Sequence, residues 1–441
     1  MNVETTEPGL EARLAAHMLI GAVLGQGRAF DEVLAEETAH GPLGRATAPD
    51  RGFARAIASA ALRHLGEIDH ALSSLLDKPL PKRAGPTRNI LRCAAAELLF
   101  LGVKPHAAVS LAVEAASRDE AARHFKSLVN AVLRRLSREG VEVFEGFDRE
   151  RASLPAWLWK SWTHAYGEER TRAIIRAQWQ EAPLDLSVKV AGDRALWAER
   201  LGAEILPTGT LRLAAGGRVE HLDGFEEGAW WVQDAAAAIP AHLFGDLEGR
   251  DALDLCAAPG GKTLELASLG AHVTALDRSA PRLERLRQNL ARTGLDAGIV
   301  TADAAKFAPG RQWDAILLDA PCTATGTARR HPDVLHLKKP ADRDRLALLQ
   351  ARLLDHAAGL LAPGGTLVYC TCSLEPEEGE IRIAAFLKAH RDFARVPILA
   401  RELGGLGELL TQDGDLRSLP CHLADRGGLD GFYAARLTRR A

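Results

Sequence analysis

The sequence predicts a multidomain chain. An all-α N-terminal bundle is followed by a small α+β subdomain and then by an α/β domain on a doubly wound, mostly parallel sheet. Three observations predict it. Apolar residues recur at helical spacing through the first 140 residues, in LAAHMLIGAVL, FARAIASAALRHL and AAAELLFLGV. Short β-like runs cluster between Leu184 and Val232. From Asp251 onward, apolar runs that end in polar or small residues alternate with helical stretches, as strand–helix–strand units do.

In the bundle, turn signals at Gly41-Pro42, Pro79, Pro81 and Gly85-Pro86 separate the helices, and β-branched alternation is scarce. Residues 141–183 read as a helical connector. Its tryptophans Trp157, Trp159, Trp162 and Trp179 are expected to be packing anchors, because a buried indole supplies a large contact area. Residues 184–232 form the subdomain, with LSVKV, LRLAAG and AWWVQD as short strands around Pro207 and the Gly216-Gly217 turn. The α/β domain occupies 233–441, with strands in DALDLCAA, HVTALD, GIVTAD, WDAILLDA and TLVYCTCS. Sites on such sheets lie at the carboxyl ends of the strands.

Bulk properties narrow the functional classes. At about 150 residues per domain, 441 residues suggest roughly three domains. The 47% hydrophobic and 26% charged content is that of an ordinary globular protein with a real core. With a formal net charge of -3, any nucleic-acid site must be a local basic patch. The six cysteines form no C-x-x-C pair, so no metal site is expected. The first residues, MNVETTEPGLEAR, are polar and acidic, without a positive n-region and apolar h-region, so no export signal is expected, and no apolar run is long enough to span a membrane. A reducing cytoplasm is the expected compartment, and a monomer the default state.

The first strand of the α/β domain runs into Cys256-Ala257-Ala258-Pro259-Gly260-Gly261-Lys262. Its glycines and small residues allow a sharp turn close to a ligand, and the next helix aims its N–H groups there. A P-loop needs glycine where Cys256 stands, and a dinucleotide fold needs G-x-G-x-x-G; both fail. An S-adenosylmethionine site remains. Asp277, ending the second strand, can accept from both ribose hydroxyls, and Asp303, ending the third, from the adenine amine. A strand-end Asp alone is often only a helix cap; with Asp254 in the end of the first strand, three at successive strand ends weaken that explanation.

The fourth strand ends in Asp319-Ala320-Pro321-Cys322 and the fifth in Cys370-Thr371-Cys372-Ser373. Neighbouring parallel strands would turn Cys322 and Cys372 into one cavity. Carbon 5 of cytosine needs activation by a thiolate at carbon 6 before it accepts a methyl group, which calls for a cysteine nucleophile. Asp319 is the candidate group to contact the base at its N3 edge. Cys93 and Cys421 read as small buried hydrophobes. By strand alternation Cys370 shares a face with Cys372, so these residues alone leave the nucleophile open among Cys370, Cys372 and Cys322.

DLCAAPGGKT, DAPCTATGTARRHPD and YCTCSLEPEE resemble, in order and spacing, three motifs of the RNA cytosine-C5 methyltransferases of the NOL1/NOP2/Sun type. The resemblance implies Cys372 as nucleophile and Cys322 as the cysteine that helps release product. It also implies a cofactor held by the backbone from Cys256 to Lys262 with Asp277, Asp303 and Asp319. Two departures stand out. Thr323-Ala324-Thr325-Gly326 replaces the usual Ser-Gly-Thr-Gly, and Ser187-Val188-Lys189 stands where Arg-x-Asn is usual.

ALRHLGEIDHALSSLL, RNILRCAAAELLFLG and SLVNAVLRRL resemble the NusB family of helical RNA-binding domains. The fusion resembles the bacterial Sun/Fmu enzymes, which implies 16S ribosomal RNA, free or in early assembly, as substrate. Arg329, Arg330, Lys338 and Lys339 are the candidate phosphate contacts, although Asp342 and Asp344 close by also fit a solvated charge run. Rival readings are a NusB-like RNA-binding protein with a degenerate methyltransferase body, a C5 methyltransferase of another RNA, and a nitrogen methyltransferase. The last calls for an Asn-Pro-Pro-Tyr-like or acidic motif, from which Asp319-Ala320-Pro321-Cys322 departs.

Overall fold

The computed structural model describes residues 9–214 and 218–440; the expected Gly216-Gly217 turn and most of the polar N-terminal stretch lie outside them. The chain folds as two compact units. One runs to Lys160 and includes His331–Lys338; the other comprises Ser161–Arg330 and Lys339 onward.

The first unit is helical: α1 (Leu10–Gln26), α2 (Phe30–Ala39), α3 (Ala48–Arg63), α4 (Leu65–Leu75), α5 (Thr87–Leu99), α6 (Pro105–Arg118), α7 (Lys126–Glu139) and the short α8 (Arg149–Ala152). The sequence fixes these elements locally. Thr47 caps α3 by accepting from the Asp50 N–H. On α7, Val129, Val132, Leu133 and Leu136 fall on one face and are buried, while its arginines lie outside. Ala58, Ala61, Ala95 and Ala96 are fully buried, so α3 and α5 approach their neighbours closely. Ile57, Leu62 and Leu91 fill the remaining core, each worth about 1.5–3 kcal/mol on burial. Residues 331–338 fold with these helices. The Phe30 N–H donates to Asp333 (2.9 Å), and His336 Nε2 lies 2.8 Å from the Leu62 carbonyl.

Helix α9 (Ala156–Tyr166) carries the chain into the second unit, followed by α10 (Glu168–Gln178). Trp162 is fully buried and its indole N–H donates to Glu375 (2.7 Å), a packing anchor as anticipated. A four-stranded antiparallel sheet follows: β1 (Leu184–Val188), β2 (Glu204–Ile205), β3 (Leu211–Leu213) and β4 (Trp230–Val232), in order β2-β3-β1-β4, with α11 (Arg194–Leu201). Lys189, at one of the family departures, donates from Nζ to the Thr293 carbonyl (2.9 Å).

The main sheet collects β5 (Asp251–Leu255), β6 (His272–Asp277), β7 (Gly298–Thr301), β8 (Trp313–Asp319), β9 (Leu361–Thr371), β10 (Phe393–Arg395), β11 (Leu416–Ser418) and β12 (Phe432–Arg439). Their order is β10-β12-β9-β8-β5-β6-β7, with β11 also on β12. Strands β5 to β9 run parallel and β12 antiparallel to β9. Helices α12 (Ala235–His242), α13 (Gly261–Ser268), α14 (Ala280–Thr293), α15 (Val334–Leu337), α16 (Pro340–Leu360) and α17 (Glu380–Ala389) complete the chain, α15 lying within 331–338. Apolar clusters pack against both faces of the sheet, so strands such as β5 and β8 read as near-continuous hydrophobic runs. The strand order reverses between β5 and β8, where open α/β sheets bind their ligands.

Candidate active site

The site grows from the ends of five parallel strands, β5 to β9. The turn from β5 into α13 holds Cys256 at φ 65° and Gly260 at φ 111°. A Cβ at Gly260 would lie 2.3 Å from Leu286 Cδ1, so the turn needs glycine there both for its conformation and for its space. Cys256 occupies the left-handed region despite its side chain, at a cost of about 1–2 kcal/mol. Its thiol is pushed up to about 12, first by burial and then by Asp319.

Asp277 is buried at the end of β6. Its carboxylate accepts from the Ala258 N–H (3.2 Å) and the Ser279 N–H (2.8 Å), binding the β5 turn to the β6 turn. Asp303 is exposed after β7 and accepts from the Ala305 N–H (3.0 Å). Each bond leaves further acceptor capacity on its carboxylate. The glycine cradle and the two strand-end carboxylates fit an adenosyl group, with hydroxyl and amine donors matched by acceptors.

Lys262 Nζ and Asp319 Oδ2 are 2.8 Å apart. Burial works against the lysine charge, but Asp319 outweighs it and holds the ammonium above the ordinary lysine range. The other Asp319 oxygen accepts from the Cys370 thiol (3.5 Å). Cys370 is fully buried, and burial, then Asp319, pushes its pKa well up. Because β8 and β9 are paired in parallel, with Asp319 beside Cys370, the loops beyond them emerge together. Cys372 Sγ lies 3.5 Å from Cys322 Sγ, and both residues are half-buried. The Cys322 thiol is raised well above its usual range, first by its bond with Cys372 and then by burial. Ala324, where the family has glycine, adopts φ 58°, so the departure does cost backbone freedom. Cys93 is a core residue of the helical unit, and Cys421 is half-buried.

The expected RNA contact at Arg329 is corrected. Arg329 is 1% exposed. Its guanidinium reaches Asp430 (3.1 Å), Asp234 (3.4 Å) and the Gly427 carbonyl. Arg330 is held by Asp234 (2.8 Å), Asp430 (3.1 Å) and the Pro183 carbonyl (3.0 Å). Arg212, paired bidentately with Asp185 at 2.7 Å, extends this buried cluster. Burial would raise Asp234, but Arg330 and Arg329 beside it win and hold it below the usual range. Both arginines therefore brace the fold. Lys338 is half-buried and Lys339 exposed.

Sequence reading also missed Glu378, Gln350, Thr323 and Ser373, which are buried and joined by hydrogen bonds behind the two cysteines. The only signal was position, with each of Thr323 and Ser373 directly following a motif cysteine.

Asp254 on β5 yields a testable pH effect. It is fully buried, Oδ2 accepts from Thr263 Oγ1 (2.6 Å), and Oδ1 has no partner among the described residues. Burial, opposed by the Thr263 bond, raises its pKa to about 7. The unfolded carboxyl titrates near pH ~3.9. Between those values the native state holds a proton that the unfolded state has lost, so stability falls as pH rises through the window. Above pH ~7 the penalty is on the order of 4 kcal/mol. Asp254→Asn, which keeps an acceptor for Thr263, should flatten the fall in urea midpoint from pH 5 to pH 8. Superimposable profiles of wild type and variant would contradict it.

A doubly wound sheet with this cradle at its switch point defines an S-adenosylmethionine-dependent methyltransferase. The 16S rRNA methyltransferase RsmB/F model matches residues 244–438, and the NusB family model matches 10–138. The chain belongs to the RsmB/F family of 16S rRNA methyltransferases. It is 38% identical over 416 residues to the ribosomal RNA small subunit methyltransferase B of Xanthomonas campestris, covering 91% of this chain and 93% of that protein. It is 36% identical over 450 residues to the protein of the same name from Pseudomonas putida, covering 98% and 99%. Among solved structures, PH0851 superposes with TM-score 0.76 over 98% of this chain and 99% of that one, a likeness of fold at 23% identity. No helix among the described residues is long and apolar enough to cross a membrane.

Proposed function

We propose that the protein methylates carbon 5 of a cytosine in 16S ribosomal RNA, with Cys372 as covalent nucleophile. The observation that carries this is the Cys322–Cys372 pair, two thiols from adjacent strand ends with sulfurs 3.5 Å apart beside the cofactor cradle. Transfer to nitrogen needs no thiol, whereas C5 chemistry needs one to attack and a means of release. Cys370 is the weaker candidate, being fully buried with its proton directed at Asp319. Half-buried Cys372 keeps access to a base.

Cys372 thiolate adds to carbon 6, forming an S–C6 bond and moving the C5=C6 electron pair onto carbon 5. Cys256–Lys262, Asp277, Asp303 and Asp319 would hold S-adenosylmethionine, which would supply the methyl group to carbon 5 by breaking its S–CH₃ bond and leaving as S-adenosylhomocysteine. Cys322 as thiolate then takes the carbon-5 proton, the C–H electron pair re-forms C5=C6, the S–C6 bond breaks, and Cys372 departs as thiolate. Cys322 assists this release, and Asp319, steadied by Lys262, contacts the base at its N3 edge. The cytosine is unpaired or flipped out, because carbon 6 within a stacked duplex is shielded. The helical region, the expected 1–140 domain, serves as an RNA-binding module, with Lys338 and Lys339 as remaining phosphate contacts. Free or early-assembly RNA in the cytoplasm is the substrate of a monomeric enzyme.

The test uses Cys322→Ala with unmodified 16S rRNA and S-adenosylmethionine on a denaturing gel. A covalent protein–RNA band should accumulate and disappear when Cys372→Ala is added. No band, with wild type methylating the same RNA, would sink the assignment of the two cysteines.

A further inference from the structure

Behind the cysteine pair lies a carboxylate to which no role attaches. Glu378 is fully buried in the turn after β9. It accepts from the Thr323 N–H through both oxygens (3.0 and 3.2 Å) and from the Thr323 hydroxyl. It also accepts from the Ser373 hydroxyl (2.6 Å) and from Gln350 Nε2 (3.0 Å), and Gln350 donates in turn to the Pro321 carbonyl (2.9 Å). Thr323 follows Cys322 and Ser373 follows Cys372, so one carboxylate grips the residue next to each thiol. Its own main chain is tied to β9, because the Tyr369 hydroxyl donates to the Glu378 carbonyl (2.8 Å). Among the described residues, backbone–backbone bonds link the two loops through the Gly326 N–H to the Cys372 carbonyl (3.0 Å) and the Ala320 N–H to the Cys370 carbonyl (2.9 Å).

We infer that Glu378 is a positioning residue that sets the separation of Cys322 and Cys372, and with it the rate of product release. The inference rests on the cysteine roles proposed above. It touches neither substrate nor cofactor; it acts through Thr323 and Ser373. Attack on carbon 6 needs one sulfur in place, whereas release needs both sulfurs at fixed distances from one adduct. Release is therefore the step most sensitive to loss of the brace. Glutamine at this position keeps the volume but turns one of the two acceptor oxygens into an NH₂ facing groups that all donate to it in the native arrangement.

The experiment compares full-length wild type, Glu378→Gln and Thr323→Val on 16S rRNA. In Glu378→Gln, kcat should fall about 10–100-fold, the loss that misplacement by a fraction of an ångström to 1 Å produces. KM for RNA should fall together with kcat, leaving kcat/KM within about two-fold because only the step after adduct formation is slowed; the calorimetric affinity for S-adenosylmethionine should stay within about two-fold, and an adduct band absent from wild type should appear during turnover. Thr323→Val keeps the N–H bonds and loses only the hydroxyl's bonds, to Glu378 and to Ser373. It should show the same signature at about a third to a tenth of wild-type kcat. Wild-type kcat in Glu378→Gln overturns the inference, as does a kcat loss matched by equal losses of cofactor affinity and folded fraction. If Glu378→Gln does not fold, wild-type kcat in Thr323→Val overturns it alone. An adduct in Cys322→Ala beside wild-type kcat in Glu378→Gln sinks this inference and spares the cysteine roles; no adduct in Cys322→Ala sinks both.

Discussion

Cys372→Ala should abolish methyl transfer to 16S rRNA, lowering kcat by about 10⁴-fold or more, while Cys370→Ala should lose less than about ten-fold. The asymmetry follows from the surroundings of two thiols only one residue apart. Cys370 is sealed between β8 and β12, opposite Ala434, and burial strongly opposes its thiolate. Alanine there removes one sulfur from a packed core, a loss of about 1 kcal/mol that folding tolerates. Cys372 lies just beyond the last residue of β9, half-buried and facing Cys322. Without its sulfur, carbon 5 stays part of an aromatic ring and gains no nucleophilic character. Cofactor affinity should survive, since the cradle is built from the ends of β5, β6, β7 and β8 and does not include Cys372. Label incorporation from S-adenosyl[methyl-³H]methionine into RNA, with calorimetry for cofactor binding, measures both. An active Cys372→Ala beside an inactive Cys370→Ala would exchange the two roles.

Much of this was legible because parallel strands covered on both faces become short apolar runs. DALDLCAA, HVTALD and WDAILLDA matched β5, β6 and β8 closely, and the polar residues ending them are the groups at the site. The tight turn at Cys256–Gly261 was legible from its glycines and small residues. What stayed hidden is whatever long-range pairing decides. Arg329-Arg330 reads as a basic loop until Asp234 and Asp430 arrive from 95 and 101 positions away. Glu378 reads as one more acid in LEPEEGE until Thr323, 55 positions back, reaches it. Residues 331–338 follow a motif loop of the sheet domain in sequence, yet their partners are Phe30 and Leu62. Periodicity reports which face is buried; it carries no record of which distant charge will meet another.

That hidden pairing gives the second large effect: Arg329→Ala should destabilise the second unit by about 3–5 kcal/mol, the cost of breaking a buried ion pair from one side. The replaced guanidinium bonds two carboxylates and a main-chain carbonyl at 1% exposure, so water cannot take over its role. Asp234 has a second duty, capping α12 by accepting from the Ala236 N–H (2.8 Å), and Asp430 anchors the turn into β12 through its main chain. Both would be left with one arginine, Arg330, which is less buried and shared with Asp185. Arg330→Ala should therefore cost less, because solvent reaches its side chain, at 23% exposure. Removing the opposing charge as well, in Arg329→Met/Asp430→Asn, should recover part of the loss, since an uncompensated carboxylate is the expensive species. Urea unfolding of the four full-length proteins measures the order. The same experiment separates bracing from RNA contact. A phosphate-contacting arginine would lose RNA affinity and flatten its salt dependence at unchanged stability. Arg329→Ala should do the reverse, losing stability first and RNA binding only as the folded fraction declines.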